Sequence, residues 1–123
     1  MIIKLSHIQN DLSKNMLKQQ RFSFFFKIGI IPNDFVNKEV LELCPGPGSN
    51  SFYLLKYTKV KHITLVDNNP SSIKALKRNL KSFKNKTIFN EDIKKIRLKK
   101  KYDYVIIENA LLGLNNPSKV FNK

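Results

Sequence analysis

This sequence contains few of the residues that form disulfide bonds and bind metals. Its 123 residues include one cysteine, Cys44, and two histidines, His7 and His62, which lie far apart along the chain. A single cysteine excludes an internal disulfide, and no spacing typical of metal ligands occurs. A chain without disulfides suits a reducing compartment. We therefore expect a cytoplasmic protein that holds no metal.

Acidic residues and arginines are also scarce. Against 23 Lys+Arg there are 9 Asp+Glu, which gives a formal net charge of +14 and an isoelectric point near 10.0. Only Arg21, Arg78 and Arg97 carry the guanidinium fork that phosphate-binding sites typically use. A lysine excess together with much Asn, Ile and Phe is also typical of genes rich in adenine and thymine. Nucleic acid stays open as a partner, but we favour a solvated basic surface.

Long apolar runs are absent. The most apolar stretch, Phe22 to Ile31, spans about ten residues and contains Lys27, whereas a membrane-spanning helix needs about 20. The first residues lack the apolar region and cleavage site of a signal peptide. We expect no membrane partner. The chain accommodates one domain and is short for a complete doubly wound fold.

The N-terminal part of the chain predicts a helix. Apolar residues recur there at helical spacing, at Ile8, Leu12, Met16 and Leu17. We expect a helix from about His7 into the region of Phe22 to Phe26, ended by Gly29 and Pro32. The polar connection that follows has room for a short helical turn at Asp34 to Val36.

Strands and helices alternate in the remainder. The predicted strands cover residues 40–43, 62–66, 87–89 and 102–107, and the predicted helices cover 49–57 and a segment capped by Ser71. This alternation implies right-handed crossovers and an α/β, Rossmann-like, doubly wound parallel sheet, incomplete with about four strands. We expect Val105, Ile106 and Ile107 to be the buried part of the last strand. We divide the chain into an N-terminal helical segment, 1–37, and a main domain, 38–123.

A glycine turn follows the first predicted strand. Gly46 and Gly48 let the backbone approach a ligand where a Cβ atom would collide. We expect a side chain at Gly48 to block that ligand while largely sparing the fold.

Each predicted strand ends in residues able to bind a ligand. These are Gly46 and Gly48, then Asp67, then Asp92, then Glu108 and Asn109. In open α/β sheets ligands bind at the carboxyl ends of strands, and Asp67 follows Gly46 by about the 20 positions at which an acid reaches a ribose. Singly, each acid is more often a helix cap or a solvated turn residue.

The charge at Glu42 bears on which ligand fits. A carboxylate just before the turn repels a pyrophosphate and attracts the ammonium group of an amino-acid-bearing nucleoside, directly or through water. Ser51 stands where the dinucleotide fingerprint has its third glycine, which disfavours a dehydrogenase. Asp92 is placed to accept from an adenine amino group, with the Ile93 backbone N–H and side chain beside the ring.

These residues resemble the class I S-adenosylmethionine-dependent methyltransferases. The run Glu42-Leu43-Cys44-Pro45-Gly46-Pro47-Gly48 is similar to the family's first motif, with Cys44 in place of its first glycine. Asp67 matches the family's ribose-binding acid and Asp92 its acid near the adenine, and the segment 102–109 resembles the fourth strand and its active-site end. The resemblance implies S-adenosylmethionine as cofactor, bound by Glu42, Leu43, Cys44, Gly46, Gly48, Asp67, Asn68, Asp92, Ile93, Glu108 and Asn109.

The resemblance also implies a reaction: methyl transfer by direct displacement to an unidentified acceptor. It assigns no catalytic residue, and it leaves the oligomeric state open. The family has a seven-stranded sheet, so we expect this chain to be the truncated, N-terminal part of such an enzyme. Two alternatives stay open, a non-catalytic cofactor-binding or interaction protein and, less favoured, a basic nucleic-acid-binding module built on residues 94–101.

Overall fold

The computed structural model describes residues 14–98 and 100–107. Its elements are α1 (Lys14–Lys27), a 3-10 turn (Pro32–Phe35), β1 (Glu39–Leu43), α2 (Ser49–Tyr57), β2 (His62–Asp67), α3 (Pro70–Asn79), β3 (Lys86–Asn90) and β4 (Tyr104–Ile106). The predicted alternation of strands and helices is confirmed. Over the described ranges no helix has the length and apolarity needed to cross a bilayer.

The four strands form one parallel sheet in the order β3-β2-β1-β4. The β1–β2 register runs from Glu39 opposite His62 to Leu43 opposite Val66, so these two strands end side by side. Strand order reverses at β1, which has β2 on one side and β4 on the other. In such sheets the crevice beside that reversal is where ligands bind. The expectation of an incomplete Rossmann-like sheet is confirmed.

The sheet has a hydrophobic cluster on each face, because successive strand residues point to opposite faces. On the helical face the larger cluster includes Phe25, Val40, Tyr53, Leu54, Ile63, Leu65, Ile73, Leu76 and Leu80. On the other face the smaller one comprises Leu41, Leu43, Val66, Ile93 and Ile96. Helices α1, α2 and α3 therefore cover one face, and the connection after β3 covers part of the other.

Helix α1 ends at the predicted glycine. Gly29 has a φ of 83°, in the left-handed region that glycine adopts without a steric penalty. The Ile30 N–H donates to the Phe25 carbonyl at 2.9 Å, and the Gly29 N–H donates to the Phe26 carbonyl at 2.9 Å. These two bonds form a Schellman motif. The predicted start near His7 lies outside the described residues.

The expected cap of α3 was wrong. Asn69, not Ser71, is the N-cap, and its Oδ1 accepts from the Ser71 N–H at 2.9 Å and the Ser72 N–H at 3.3 Å. Pro70 then occupies the first helical position, where its fixed φ suits the helix and its missing N–H removes no intrahelical bond. A better cap lies two residues upstream, so Ser71 becomes part of the helix.

Strand β4 is shorter and more exposed than expected. It covers 104–106, and Val105 is 44% exposed, while Ile106 and Ile107 are only partly buried. Among the described residues β4 pairs with β1 alone, which makes it an edge strand there. The expectation that Val105, Ile106 and Ile107 are the buried part of the strand is therefore wrong.

Gly48 has a packing role that the sequence did not reveal. A Cβ atom there would lie 2.7 Å from Leu76 Cδ2 and 3.7 Å from Leu80 Cδ1, and both leucines are fully buried. The expectation that a side chain at Gly48 spares the fold is therefore wrong. Gly46 differs, because a Cβ atom there meets nothing within 4 Å.

Substituting the two glycines by alanine should separate these roles. Both have positive φ, of 60° at Gly46 and 93° at Gly48, so each alanine costs about 1–2 kcal/mol of backbone strain. Gly48→Ala should lose about 1–3 kcal/mol more, because the added methyl overpacks Leu76. Urea unfolding of both variants measures the difference. Equal losses would contradict close packing at Gly48.

Candidate cofactor site

The backbone between β1 and α2 turns through three left-handed positions. The φ angles are 52° at Cys44, 60° at Gly46 and 93° at Gly48. Left-handed conformations strain residues that carry a Cβ atom, which is why glycines are typical there. Cys44 thus adopts a conformation typical of glycine, at the position where the methyltransferase motif has its first glycine. Its N–H donates to the Val66 carbonyl at 2.8 Å.

Asp67 joins the end of β2 to this turn. Its Oδ2 accepts from the Gly46 N–H at 3.4 Å, and its Oδ1 accepts from the Asn69 N–H at 3.0 Å. A carboxylate oxygen has two lone pairs, so both oxygens retain capacity to accept from hydroxyl groups. The structure therefore brings Asp67 and Gly46 together, as predicted, while the contact with a ribose stays a prediction.

Glu42 is buried on the helical face of β1. Its side chain is 2% exposed, Oε1 accepts from Ser51 Oγ at 2.7 Å, and Oε2 accepts from Asn50 Nδ2 at 3.0 Å. Both donors lie in the first turn of α2. Glu42 thus ties the central strand to the helix that follows the glycine turn. Its attraction for a ligand's ammonium group stays a prediction.

Asp92 and Ile93 lie just beyond β3. Asp92 Oδ1 accepts from the Lys94 N–H at 2.9 Å, so this carboxylate caps the turn that it begins. Ile93 is 7% exposed and packs in the smaller hydrophobic cluster with Leu43 and Val66. Both residues therefore have structural roles, and their proposed contacts with an adenine stay predictions.

Acidic groups from three strand ends act on the Cys44 thiol. Burial raises the pKa of this thiol to about 11, and the negative charges of Asp67, Asp92 and Glu42 contribute further to the rise. The turn is thus locally negative within a strongly basic chain. Such a site favours a cation, and a sulfonium or ammonium group meets that requirement.

The remaining predicted site residues are Leu43, Asn68, Glu108 and Asn109. Leu43 is buried at the end of β1, and Asn68 is exposed beside Asp67. Glu108 and Asn109 lie outside the described residues. Sequence reasoning missed Ser49, whose Oγ is buried and has no hydrogen-bond partner among the described residues. A polar run directly after the last glycine was the available signal.

Alkylation of Cys44 should report the raised pKa of its thiol. At pH 8 a thiol with a pKa of about 11 supplies about a hundredfold less thiolate than one with the ordinary value of 9.0, so iodoacetamide should react correspondingly slowly with the folded protein. The rate should rise until about pH 11. The same chain unfolded in urea is the control and should level off near pH 9. A folded-state profile that levels off there too would rule out the raised pKa.

Comparison with known proteins adds a family and a fold. Residues 34–123 match the family described as a methyltransferase domain. No curated protein matches the sequence.

Three solved methyltransferases illustrate the structural likeness. TYW2 of M. jannaschii, in complex with AdoMet, is 25% identical with a TM-score of 0.57 over 77% of this chain and 41% of that one. The N-methyltransferase NodS of Bradyrhizobium japonicum, in complex with S-adenosyl-L-homocysteine, is 16% identical with a TM-score of 0.62 over 87% and 50%. An S-adenosylmethionine-dependent methyltransferase of Clostridium acetobutylicum is 19% identical with a TM-score of 0.61 over 95% and 48%.

This chain thus spans no more than half the length of each of these three proteins. The family match, by contrast, covers most of the chain and includes the whole sheet. The locally negative turn at the end of β1 is consistent with the cationic cofactor of that family. The chain therefore belongs to the methyltransferase-domain family, with an incomplete class I fold, and two of these solved relatives bind S-adenosylmethionine or its product.

Proposed function

We propose that the turn at residues 44–48 binds S-adenosylmethionine and that the chain takes part in methyl transfer to an acceptor. The observation that carries this proposal is the joint presence of three left-handed backbone positions and of carboxylates from three strand ends around Cys44. The first gives a ligand close access to the backbone at Gly46. The second favours a ligand with positive charge.

Each predicted residue has a role in this proposal. Asp67 accepts hydrogen bonds from the ribose, and Gly46 leaves space beside it. Glu42 provides negative charge beneath the turn for the ammonium end. The remaining contacts are assigned to Leu43, Cys44, Gly48, Asn68, Asp92, Ile93, Glu108 and Asn109. Gly48 acts here by allowing α2 to begin close to α3.

The chemistry requires little of the protein beyond alignment. When bound, S-adenosylmethionine supplies an electrophilic methyl group: an acceptor's lone pair forms the new bond to the methyl carbon as the carbon–sulfur bond breaks, and the two electrons of the broken carbon–sulfur bond stay on sulfur, which leaves as a neutral thioether. The residues of this chain bind and orient the reactants, which converts a bimolecular step into an effectively intramolecular one. No described residue is assigned as a general base.

A second candidate is a protein that binds the cofactor without turnover. The exposed Val105 on β4, a strand that pairs with β1 alone among the described residues, favours it. Incubation with S-adenosylmethionine labelled in the methyl group and a cell extract separates the two. Label transferred to extract components supports the enzyme, and cofactor binding without transfer supports the second candidate.

Removing the charge of Asp67 should weaken cofactor binding. A charge-assisted hydrogen bond contributes about 1.5–3 kcal/mol, so Asp67→Asn should raise the dissociation constant for S-adenosylmethionine roughly tenfold or more. Isothermal titration calorimetry measures this dissociation constant. Glu91→Gln is the matched control, because Glu91 is an exposed acid at the same sheet edge. Its affinity should stay unchanged.

Stability must be measured for both variants, because Asp67 also accepts from Gly46 and Asn69 within the protein. Unchanged affinity in a folded Asp67→Asn protein would remove Asp67 from the site. An equal loss in both variants would indicate a general effect of charge and not a ribose contact.

A further inference from the structure

A buried polar network connects α1 to the strand beneath the cofactor turn. Arg21 Nη1 donates to Asn50 Oδ1 at 2.9 Å, and Asn50 Nδ2 donates to Glu42 Oε2 at 3.0 Å. Ser51 Oγ completes the set by donating to Glu42 Oε1 at 2.7 Å. Three elements, α1, α2 and β1, thus meet through side-chain hydrogen bonds.

The two charges in this network are both withdrawn from water. Arg21 is 0% exposed and Glu42 is 2% exposed. A buried charge is costly unless it is paired and hydrogen-bonded. Here opposite charges lie at the two ends of one amide, so each offsets part of the desolvation cost of the other.

Asn50 is suited to its position by the polarity of its amide. Its oxygen accepts from the guanidinium, and its nitrogen donates to the carboxylate. A carboxylate at this position has no N–H group to donate to Glu42, and an aliphatic side chain makes neither bond. The connection is therefore directional, from a cation on α1 to an anion on β1.

Arg21 lies outside the part of the chain that matches the methyltransferase family, which begins at residue 34. It is on the inward face of α1, one turn from Leu17 and one turn from Phe25, both of which are buried. The side chains of those neighbours are apolar, and that of Phe25 stacks on Tyr53 with centroids 5.8 Å apart. Arg21 instead makes a polar link, through Asn50, to Glu42 on the strand that leads into the cofactor turn.

We propose that Arg21 is a positioning residue for the cofactor site. Through Asn50 it holds the Glu42 carboxylate and the first turn of α2 in place, and these flank the turn at residues 44–48 on its two sides in sequence. Helix α1 is then part of the cofactor-binding unit, although it precedes the family match. The inference rests on the proposed function, because it presumes that this turn is where S-adenosylmethionine binds.

The first test needs no cofactor. Arg21→Met keeps side-chain length and removes the guanidinium, so backbone amides at 44–51 should exchange with deuterium faster than in the wild type. Lys18→Met is the matched control, because Lys18 is an exposed cation on the same helix whose Nζ lies over the Tyr57 ring, 5.1 Å from its centroid. Its exchange at 44–51 should be unchanged. Unchanged exchange in Arg21→Met would overturn the proposal.

The second test measures the dissociation constant for S-adenosylmethionine. Arg21→Met should raise it about tenfold, and Arg21→Lys should fall between that variant and the wild type, because an ammonium retains the charge but loses the planar fork. Phe25→Leu controls for stability, since it weakens the same helix face without touching the network. Its affinity should remain that of the wild type while it is folded.

A double-mutant cycle distinguishes positioning from a general loss of structure. If Arg21 acts through Asn50, the combined Arg21→Met and Asn50→Leu variant should bind no more weakly than Asn50→Leu alone. Additive losses would overturn the proposal, as would a loss in Phe25→Leu equal to that in Arg21→Met at matched stability.

Failure of the proposed function has a different pattern. A wild-type protein that does not bind S-adenosylmethionine overturns both ideas together. Wild-type binding that is lost in Asp67→Asn but retained in Arg21→Met keeps the proposed function and overturns only the role of Arg21.

Discussion

A carboxylate buried at the centre of a sheet must receive hydrogen bonds, and in this protein Glu42 receives them from the first turn of α2. This requirement fixes where α2 begins relative to β1. The chain therefore has to reverse direction within the five residues that join them. Three of these residues adopt positive φ to do so. The resulting turn is open at Gly46 and closely packed against Leu76 of α3 at Gly48.

Electrostatics at the turn run opposite to those of the molecule as a whole. The chain carries a net charge of +14, yet the Cys44 thiol lies in the field of three carboxylates. Lysines are exposed along the helices, while the acids are used at strand ends, as with Asp67 and Asp92. Under the proposed function, this local negative charge is what attracts a cationic ligand to a protein whose net charge is positive.

The sequence predicted the sheet well, because each strand is a short apolar run bounded by turn residues, and it placed Asp67 beside Gly46 from their spacing alone. It could not show that Gly48 faces Leu76, since that contact joins two helices far apart in sequence. Asn69 and Ser71 are both good caps, and only the helix start at Pro70 decides between them. The burial of Arg21 could not be predicted for another reason. A charged residue beside a run of phenylalanines is normally expected on the surface of a helix.

The position of β1 in the sheet also affects how the chain is made. Its partner β4 begins about 60 residues after β1 ends, and at about 5–20 residues per second a ribosome needs several seconds to synthesise that interval. During those seconds one edge of β1 has no neighbour to pair with. The nascent chain therefore passes through a period in which the free edge of β1 can pair with other chains. A chaperone that binds exposed strand segments would prevent this pairing until β4 is made.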